Sequence, residues 1–152
     1  MRLNEDTRIV GTHAVLVPYE PKHVPRYHKW MSHEKIIELT QMEPRTLEQE
    51  YARQKRWRND DDDLTFIVLR KDQWEKEGEE PAMESARGQG IGKEAVSLIL
   101  GYAAEQVGLT VFTAKICYSN TAGLCMFEKL GFERVSKCDV DKLHTLRIPT
   151  TD

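Results

Sequence analysis

The sequence predicts a mixed α/β fold of the α+β kind, in which flanking helices cover a mixed sheet. Three observations predict it. Apolar residues recur at helical spacing in several segments, runs rich in β-branched residues alternate with those segments, and a loop with three glycines opens a clear helix. The resulting order is strand, helices, strand, glycine loop, helix, strand, helix and two final strands. Such an order is typical of helices layered on a sheet.

Length and composition exclude several classes of protein. The chain has 152 residues, which suits one domain, and we assign that domain to residues 1–148. Its formal net charge of -3 excludes a general polyanion binder, so we expect no nucleic-acid partner. No apolar stretch is long enough to cross a membrane, and the polar N-terminus does not resemble a signal peptide. We therefore expect a cytoplasmic protein, with the nucleus as the other option.

The cysteines and histidines do not form a metal pattern. The 3 cysteines contain no CxxC pair, and the 5 histidines contain no HExxH spacing. The four consecutive aspartates at 60–63 are more typical of a solvated turn than of a metal site. We therefore predict no metal.

The first half of the chain begins with a strand and continues with helices. Residues 13–19 read as a strand that Pro18 stops, and residues 21–31 have apolar side chains at helical spacing. Ser32 is a candidate cap for a short helix over 34–39.

A longer helix follows. Thr46 and Gln49 form a capping box at the start of a helix that reaches about Trp57. We expect one stripe of this helix to contain Leu47, Tyr51, Gln54 and Arg58.

A strong strand and a charged segment occupy the middle of the chain. Residues 64–69, LTFIVL, are apolar on both faces, which predicts a strand in the centre of a sheet. Residues 70–86 are charged and contain no apolar run, with Gly78 and Pro81 among them. We interpret them as a charged insert, either a short helix or a mobile loop.

The second half is more regular. Residues 92–107 predict a helix with an apolar stripe, closed by Gly108. A strand over 109–116 and a helix over 121–130 follow, with Asn120 or Ser119 as the cap of that helix. Residues 132–135 and 140–148 predict two strands, joined by a hairpin around 137–139.

The glycine loop, Arg87-Gly-Gln-Gly-Ile-Gly92, leads straight into a helix. Backbone amides without side chains, together with the partial positive charge of a helix N-terminus, suit a phosphate or pyrophosphate. The P-loop pattern fails because Arg87 stands where it requires glycine and Glu94 where it requires Ser or Thr. A dinucleotide fingerprint fails because no hydrophobic strand precedes the loop. A helix-capping turn without any ligand remains the alternative.

Two separated motifs resemble one superfamily. Arg87-x-x-Gly90-x-Gly92 looks like the [R/Q]xxGx[G/A] signature of the GNAT acetyltransferases. Downstream, Ser119-Asn120 and the run Met126-Phe-Glu-Lys-Leu-Gly-Phe132 resemble its second hallmark, a helix led by Asn and ended by an EKLGF turn. The pattern near residues 16–30 resembles the RimJ/RimL-type branch. Residues 1–69 and 87–148 are more similar still to N-acetyltransferase 9-like proteins.

The resemblance implies a GNAT fold and transfer of an acetyl group from acetyl-CoA, without a metal, to a protein or peptide α-amino group. It also implies residues that bind acetyl-CoA. The pyrophosphate would lie on the loop, and Asn120 would contact the arm of the co-substrate. The implied binding residues are therefore Arg87, Gly88, Gln89, Gly90, Ile91, Gly92 and Asn120. The resemblance assigns no catalytic residue in this sequence.

Two departures from the family pattern bear on activity. The family places two strands between the counterpart of 64–69 and the loop, but the 17 residues at 70–86 show no apolar alternation. We therefore expect a fold shortened in the middle. In addition, Phe127 stands where many members have a tyrosine acid, and the closest phenol is Tyr118. An N-acetyltransferase, or a shortened form of one with impaired activity, is the leading hypothesis, and a non-catalytic GNAT-like module that binds acetyl-CoA or a protein partner is the alternative.

Overall fold

The structure is a computed structural model that describes residues 2–83 and 90–149. Its strands and helices follow in the predicted order. The strands are β1 Ile9–Val10, β2 Ala14–Pro18, β3 Phe66–Arg70, β4 Val111–Cys117, β5 Glu133–Cys138 and β6 Leu143–Pro149. The helices are α1 Val24–Met31, α2 Glu34–Thr40, α3 Leu47–Asn59, α4 Lys71–Glu77, α5 Glu79–Ala82, α6 Ile91–Tyr102 and α7 Thr121–Lys129. A 3-10 turn, Pro21–His23, leads into α1, and a π-helical turn, Ala103–Val107, extends α6.

The first sheet has the order β1-β2-β3, and both pairs are antiparallel. Its middle strand is β2, in which Ala14, Val15 and Leu16 are fully buried. Alternate residues of β2 face two different layers, because successive side chains of a strand point to opposite faces. Val15 and Val17 join the first core cluster, and the other face joins the second.

The predicted central position of the strand at 64–69 is wrong for the described part of the chain. There β3 pairs with β2 alone and forms an edge of the sheet. Its residues are apolar on both faces for another reason. Ile67 and Leu69 pack into the first core cluster, while Phe66 and Val68 pack against the second. Apolar residues on both faces of β3 therefore indicate that both faces are covered, and they do not indicate that a strand pairs with β3 on each side.

Helix α3 begins with the predicted capping box. The Gln49 backbone N–H donates to Thr46 Oγ1 at 3.2 Å, and the Thr46 N–H donates to Gln49 Oε1 at 2.9 Å. Of the predicted stripe, Gln54 is buried, whereas Leu47 and Tyr51 are exposed. Glu50 is also buried, and Trp57 packs against the first core cluster.

Polar contacts explain the buried face of α3. Gln54 Nε2 donates to the Tyr19 carbonyl at 2.8 Å. The Arg53 guanidinium lies 4.0 Å from the centre of the Trp57 ring, close enough for a cation–π contact. Gln54 and Arg53 therefore lie on the inner face of α3, although hydrophobicity alone would place Leu47 and Tyr51 there.

The predicted cap of α2 is also wrong. His33 caps this helix, and its Nδ1 accepts the Lys35 backbone N–H at 3.2 Å. Ser32 instead closes α1, since its hydroxyl donates to the His28 carbonyl at 2.8 Å. Serine bonds equally well to a preceding turn, so the residue type did not indicate which helix it serves.

The described part of the charged segment is helical. Residues 71–83 contain α4 and α5, and no strand occurs among them. Trp74, Ala82 and Met83 pack into the first core cluster, which explains why this stretch is ordered without a long apolar run. Residues 84–86, which we also assigned to the insert, lie outside the described residues.

Helix α6 contacts both halves of the fold. Ile91 and Ala95 belong to the second core cluster with Ala14 and Leu16 of β2. Leu100, farther along the helix, packs against the third cluster, which lies on the second sheet. Gly108 ends the helical stretch with a φ of 76°, as predicted.

The second sheet has the order β4-β6-β5 and is antiparallel throughout. Helix α7 covers one face, where Leu124 and Phe132 pack on Ile116 and Leu146.

The β5–β6 hairpin is displaced from its predicted place. The turn lies at residues 139–142 instead of 137–139. Val140 is an apolar residue in that turn and is 92% exposed, so its hydrophobicity misled the assignment of the strand.

Among the residues that the structure describes, no helix has the length and apolar character of a membrane span.

Candidate active site

The structure describes the second half of the glycine loop. Gly90 is the N-cap of α6 and has a left-handed backbone with φ 74°. Among the residues that the structure describes, no atom lies within 4 Å of the position that a Cβ would occupy there. Ile91 is buried against β2 and anchors the first turn. Arg87, Gly88 and Gln89, the other predicted loop residues, lie outside the described residues.

The first turn of α6 is tied to the first sheet by Glu94, which the sequence reading passed over as a binding residue. Its carboxylate accepts backbone N–H groups from Thr12 at 2.7 Å, His13 at 2.8 Å and Ala14 at 2.6 Å. Burial alone would raise the pKa of Glu94, but these three N–H bonds outweigh it and hold the pKa below its usual range. The carboxylate is therefore charged at neutral pH.

Asn120 has the structural position that the sequence predicted. It is the N-cap of α7, and its Oδ1 accepts the Gly123 backbone N–H at 2.9 Å. Helix α7 also approaches the glycine loop, since a Cβ placed on Gly92 would lie 3.5 Å from Met126 Sδ. The start of α6 therefore lies beside the middle of α7. Contact of Asn120 with acetyl-CoA stays a prediction.

Neither Phe127 nor Tyr118 is suited to donate a proton to a departing thiolate. Phe127 packs edge-on against Phe132, with ring centroids 5.1 Å apart, and carries no exchangeable proton. The Tyr118 hydroxyl donates to Asp139 Oδ1 at 2.8 Å. Partial burial and this bond raise the pKa of Tyr118 to about 12, so the phenol holds its proton firmly.

A charged cluster joins the start of α1 to α5. Glu79 Oε2 lies 2.7 Å from Lys22 Nζ and 3.2 Å from His23 Nε2. His23 is only 2% exposed, and its Nδ1 accepts the Glu20 backbone N–H at 3.0 Å. Burial lowers the pKa of His23, although the Glu79 carboxylate opposes the shift. Because Nδ1 accepts a hydrogen bond, the neutral ring carries its proton on Nε2, and this N–H donates a hydrogen bond to Glu79.

The same cluster has the composition of a metal site but not its hydrogen bonds. Glu20, His23 and Glu79 offer ligand atoms within 4.8 Å of one another. A metal-ligating histidine normally donates its other ring N–H, whereas Nδ1 of His23 accepts a hydrogen bond. Lys22 also already neutralises Glu79. These contacts fit an ion-pair network.

A cavity of about 390 Å³ opens beside the start of α6. It lies between the beginning of β2 and the end of β3. Its walls carry charges of both signs, and the lining residues are Thr12, His13, Arg70, Lys71, Asp72, Glu75 and Ile91.

Comparison with known proteins decides the family. A profile described as "Acetyltransferase (GNAT) domain" matches residues 82–133, a range that contains the loop, α6, β4 and α7. An N-acetyltransferase 9-like protein of Caenorhabditis briggsae is 43% identical over 176 residues, which cover 98% of this chain and 89% of that protein. The human alpha/beta-tubulin-N-acetyltransferase 9 is 40% identical over 181 residues, which cover 100% of this chain and 87% of that protein.

The chain belongs to the N-acetyltransferase 9-like proteins of the GNAT family. It is therefore an acetyltransferase by family, as the two sequence motifs predicted. The alignment with the human relative runs over 181 positions, although this chain has only 152 residues. The human protein thus has positions without a counterpart in this chain.

Solved structures confirm the fold. A GNAT-family acetyltransferase from Bacillus anthracis superposes with a TM-score of 0.73 at 16% identity and covers 94% of this chain and 98% of its own. RimL, a ribosomal L7/L12 alpha-N-protein acetyltransferase, superposes with a TM-score of 0.68 at 15% identity, with 93% and 92% covered. The aminoglycoside acetyltransferase AAC(6')-Ib, solved with coenzyme A, gives 0.65 at 17% identity, with 90% and 94% covered. At these identities the likeness shows the GNAT fold.

Proposed function

We propose that this chain transfers the acetyl group of acetyl-CoA to the α-amino group of a protein or peptide. One observation carries the proposal: in a member of this family, α6 begins at Gly90, whose Cβ position meets no atom of the described residues within 4 Å. The names of the relatives support a protein acceptor, because the human one is called a tubulin acetyltransferase and RimL a ribosomal-protein acetyltransferase.

The residues at the start of α6 fit a pyrophosphate. The first amides of a helix have no partner within the helix, and the helix dipole adds partial positive charge there. In this fold those amides belong to Ile91, Gly92 and Lys93, because the first helical bond runs from the Glu94 N–H to the Gly90 carbonyl. A side chain on Gly90 would enter the space that the anion needs. We propose that the loop residues Arg87, Gly88 and Gln89 complete this site.

The rest of the reaction rests on positioning. Acetyl-CoA, when bound, supplies the acetyl thioester that an amine attacks. Asn120 is proposed to contact the arm of the co-substrate from the start of α7. No side chain is assigned as general base or acid, and the pKa of Tyr118, raised to about 12, makes its phenol a weak proton donor. Orientation of the two reactants is thus the contribution that this chain can make.

Two broader assignments accompany the proposal. We propose that residues 1–148 act as one domain, because α6 packs against the core clusters of both sheets. We also propose that the protein works in the cytoplasm, where a soluble protein substrate would be met.

Calorimetric titration with acetyl-CoA tests the site, using two matched variants. Gly90→Glu places a carboxylate at the start of α6. Gly108→Glu places one at the other end of the same helical stretch, where φ is 76° and a Cβ would also meet no described atom within 4 Å. Both variants therefore carry similar backbone strain, and only the first puts negative charge at the anion site.

We expect the wild-type chain and Gly108→Glu to bind acetyl-CoA alike. Gly90→Glu should bind about tenfold more weakly or worse, which corresponds to roughly 1.4 kcal/mol or more. Circular dichroism checks that all three proteins are folded. Equal binding of acetyl-CoA by both variants would show that the co-substrate does not bind at the start of α6. The absence of heat from the folded wild-type chain would contradict acetyl-CoA binding altogether and favour a module that binds a protein partner.

A further inference from the structure

We propose that Glu94 is a positioning residue for acetyl-CoA, because its carboxylate fixes the first turn of α6 to the backbone amides of Thr12, His13 and Ala14. This inference rests on the proposed function and deepens it. It adds a residue outside the glycine loop to the determinants of co-substrate binding, and it assigns a role to the turn between β1 and β2.

The contact is short and convergent. Three consecutive N–H groups reach the two oxygens of one carboxylate at 2.6 to 2.8 Å. Consecutive amides that converge in this way form a concave anion site, and here the anion is a side chain of the same protein. Hydrogen bonds to a charged group are among the stronger ones in proteins, so three of them restrain the helix tightly.

The backbone beside the contact is adapted to it. A Cβ on Gly11 would lie 2.9 Å from both Glu94 Cδ and Leu98 Cδ1, closer than real Cβ contacts come. Glycine at this position therefore lets the β1–β2 turn approach α6. Glu94 lies four residues beyond Gly90, a rise of about 6 Å, so the carboxylate holds the same helical turn that carries the amides facing the pyrophosphate.

The contact also offsets the negative charge of the Glu94 carboxylate near the start of α6. A carboxylate in the first turn of a helix repels an anion that binds at the same N-terminus. The amides of residues 12–14 take up this charge on the sheet side of α6. Among residues 71–83, no strand leads toward the glycine loop. The Glu94 contact thus supplies a fixed attachment for the start of α6 in a chain whose described residues offer no lead-in strand.

Two glutamates of one helical stretch allow a matched test. Glu94→Gln keeps the size of the side chain but turns one acceptor oxygen into an N–H donor that faces other donors. Glu105→Gln removes the same charge from an exposed position in the turn that follows α6. For each variant, the Kd of acetyl-CoA is measured by calorimetry, and kcat and KM are measured where a peptide is acetylated.

We expect Glu94→Gln to raise the Kd and KM of acetyl-CoA about tenfold or more, while the KM of the peptide stays near its wild-type value. Glu105→Gln should match the wild-type chain. An unchanged Kd in folded Glu94→Gln, beside normal binding by the wild-type chain, would overturn the role of Glu94 alone. A folded wild-type chain that does not bind acetyl-CoA would overturn the proposed function, and this inference with it.

A measurement on the wild-type protein covers the case in which Glu94→Gln does not fold. The amide protons of Thr12, His13 and Ala14 should shift together in an NMR pH titration, because one carboxylate accepts from all three. Their common midpoint should lie below 4.5, the ordinary value for glutamate, since the pKa of Glu94 is lowered. Three unrelated midpoints, or none, would overturn the contact itself.

Discussion

Two ionisable side chains couple the stability of this fold to pH at the scale of single residues. His23 is buried at the start of α1, and burial lowers its pKa, so the folded chain favours the neutral ring. Glu94 gains three backbone N–H bonds, and its pKa is also lowered, so the folded chain favours the charged carboxylate. Both groups bind fewer protons in the folded state than in the unfolded state. Both therefore favour the folded state less as the pH falls, although over different ranges.

His23 gives a prediction that can be tested near neutral pH. Its pKa is about 6.5 when unfolded and lower when folded, so its contribution to stability is complete above 6.5 and declines below it. Urea unfolding at pH 7.5 and pH 5.5 should show lower stability of the wild-type chain at the lower pH. His23→Gln should reduce this difference, whereas the same change at exposed His13 should preserve it. An equal pH dependence in His23→Gln would contradict the assignment.

At the scale of elements, the capping of α3 is a local feature with a measurable effect. Thr46 and Gln49 bond each other's backbone N–H groups at the exposed start of this helix. These bonds satisfy two groups that the first turn of a helix leaves without a partner. The helix carries Gln54 and Trp57 into the first core, so the cap supports packing as well as helix formation.

Thr46→Ala should therefore lower the free energy of unfolding by about 1 kcal/mol. Thr121→Ala is the control, since Thr121 is the first residue of α7 and Asn120 is the cap there. Chemical denaturation of both variants measures the difference. Equal losses of stability in the two variants, or no loss in Thr46→Ala, would show that the capping box contributes nothing.

Sequence reading succeeded where the information is local. The capping box of α3, the cap at Asn120 and the end of the α6 stretch at Gly108 all follow from residue type and spacing. It failed where tertiary contacts decide, as in the buried face of α3 and the edge position of β3. Glu94 escaped notice because its partners are backbone amides about 80 residues away, and a backbone amide leaves no signal in a sequence.

At the scale of the whole molecule, two three-stranded sheets share one connecting helix. Within the described ranges 2–83 and 90–149, no ladder joins β1-β2-β3 to β4-β6-β5. Helix α6 packs Ile91 and Ala95 on the first sheet, and Leu100 packs on the cluster of the second. The human relative has positions that this chain lacks, and the shortening of the fold in its middle stays a prediction. Helix α6 therefore supplies much of the packing between the two sheets.

Core truncations in each sheet test whether the molecule unfolds as one unit. Leu16 in β2 and Leu146 in β6 are both fully buried, so Leu16→Ala and Leu146→Ala should each cost about 2 to 5 kcal/mol. If residues 1–148 form one domain, both changes shift a single calorimetric transition. Two transitions, each sensitive to one variant, would show that the sheets unfold separately.

Acetyl transfer to a peptide is the direct test of the proposed transferase activity. The folded chain is incubated with acetyl-CoA and two peptides of one sequence, one with a free α-amino group and one with that group blocked, and the products are located by mass spectrometry. We expect an acetyl group on the α-amino nitrogen of the free peptide, none on the blocked peptide and strong loss of product with Gly90→Glu. A panel of peptides with different N-terminal residues extends the test to different acceptors. A chain that binds acetyl-CoA at α6 and acetylates none of them would contradict the proposed transferase.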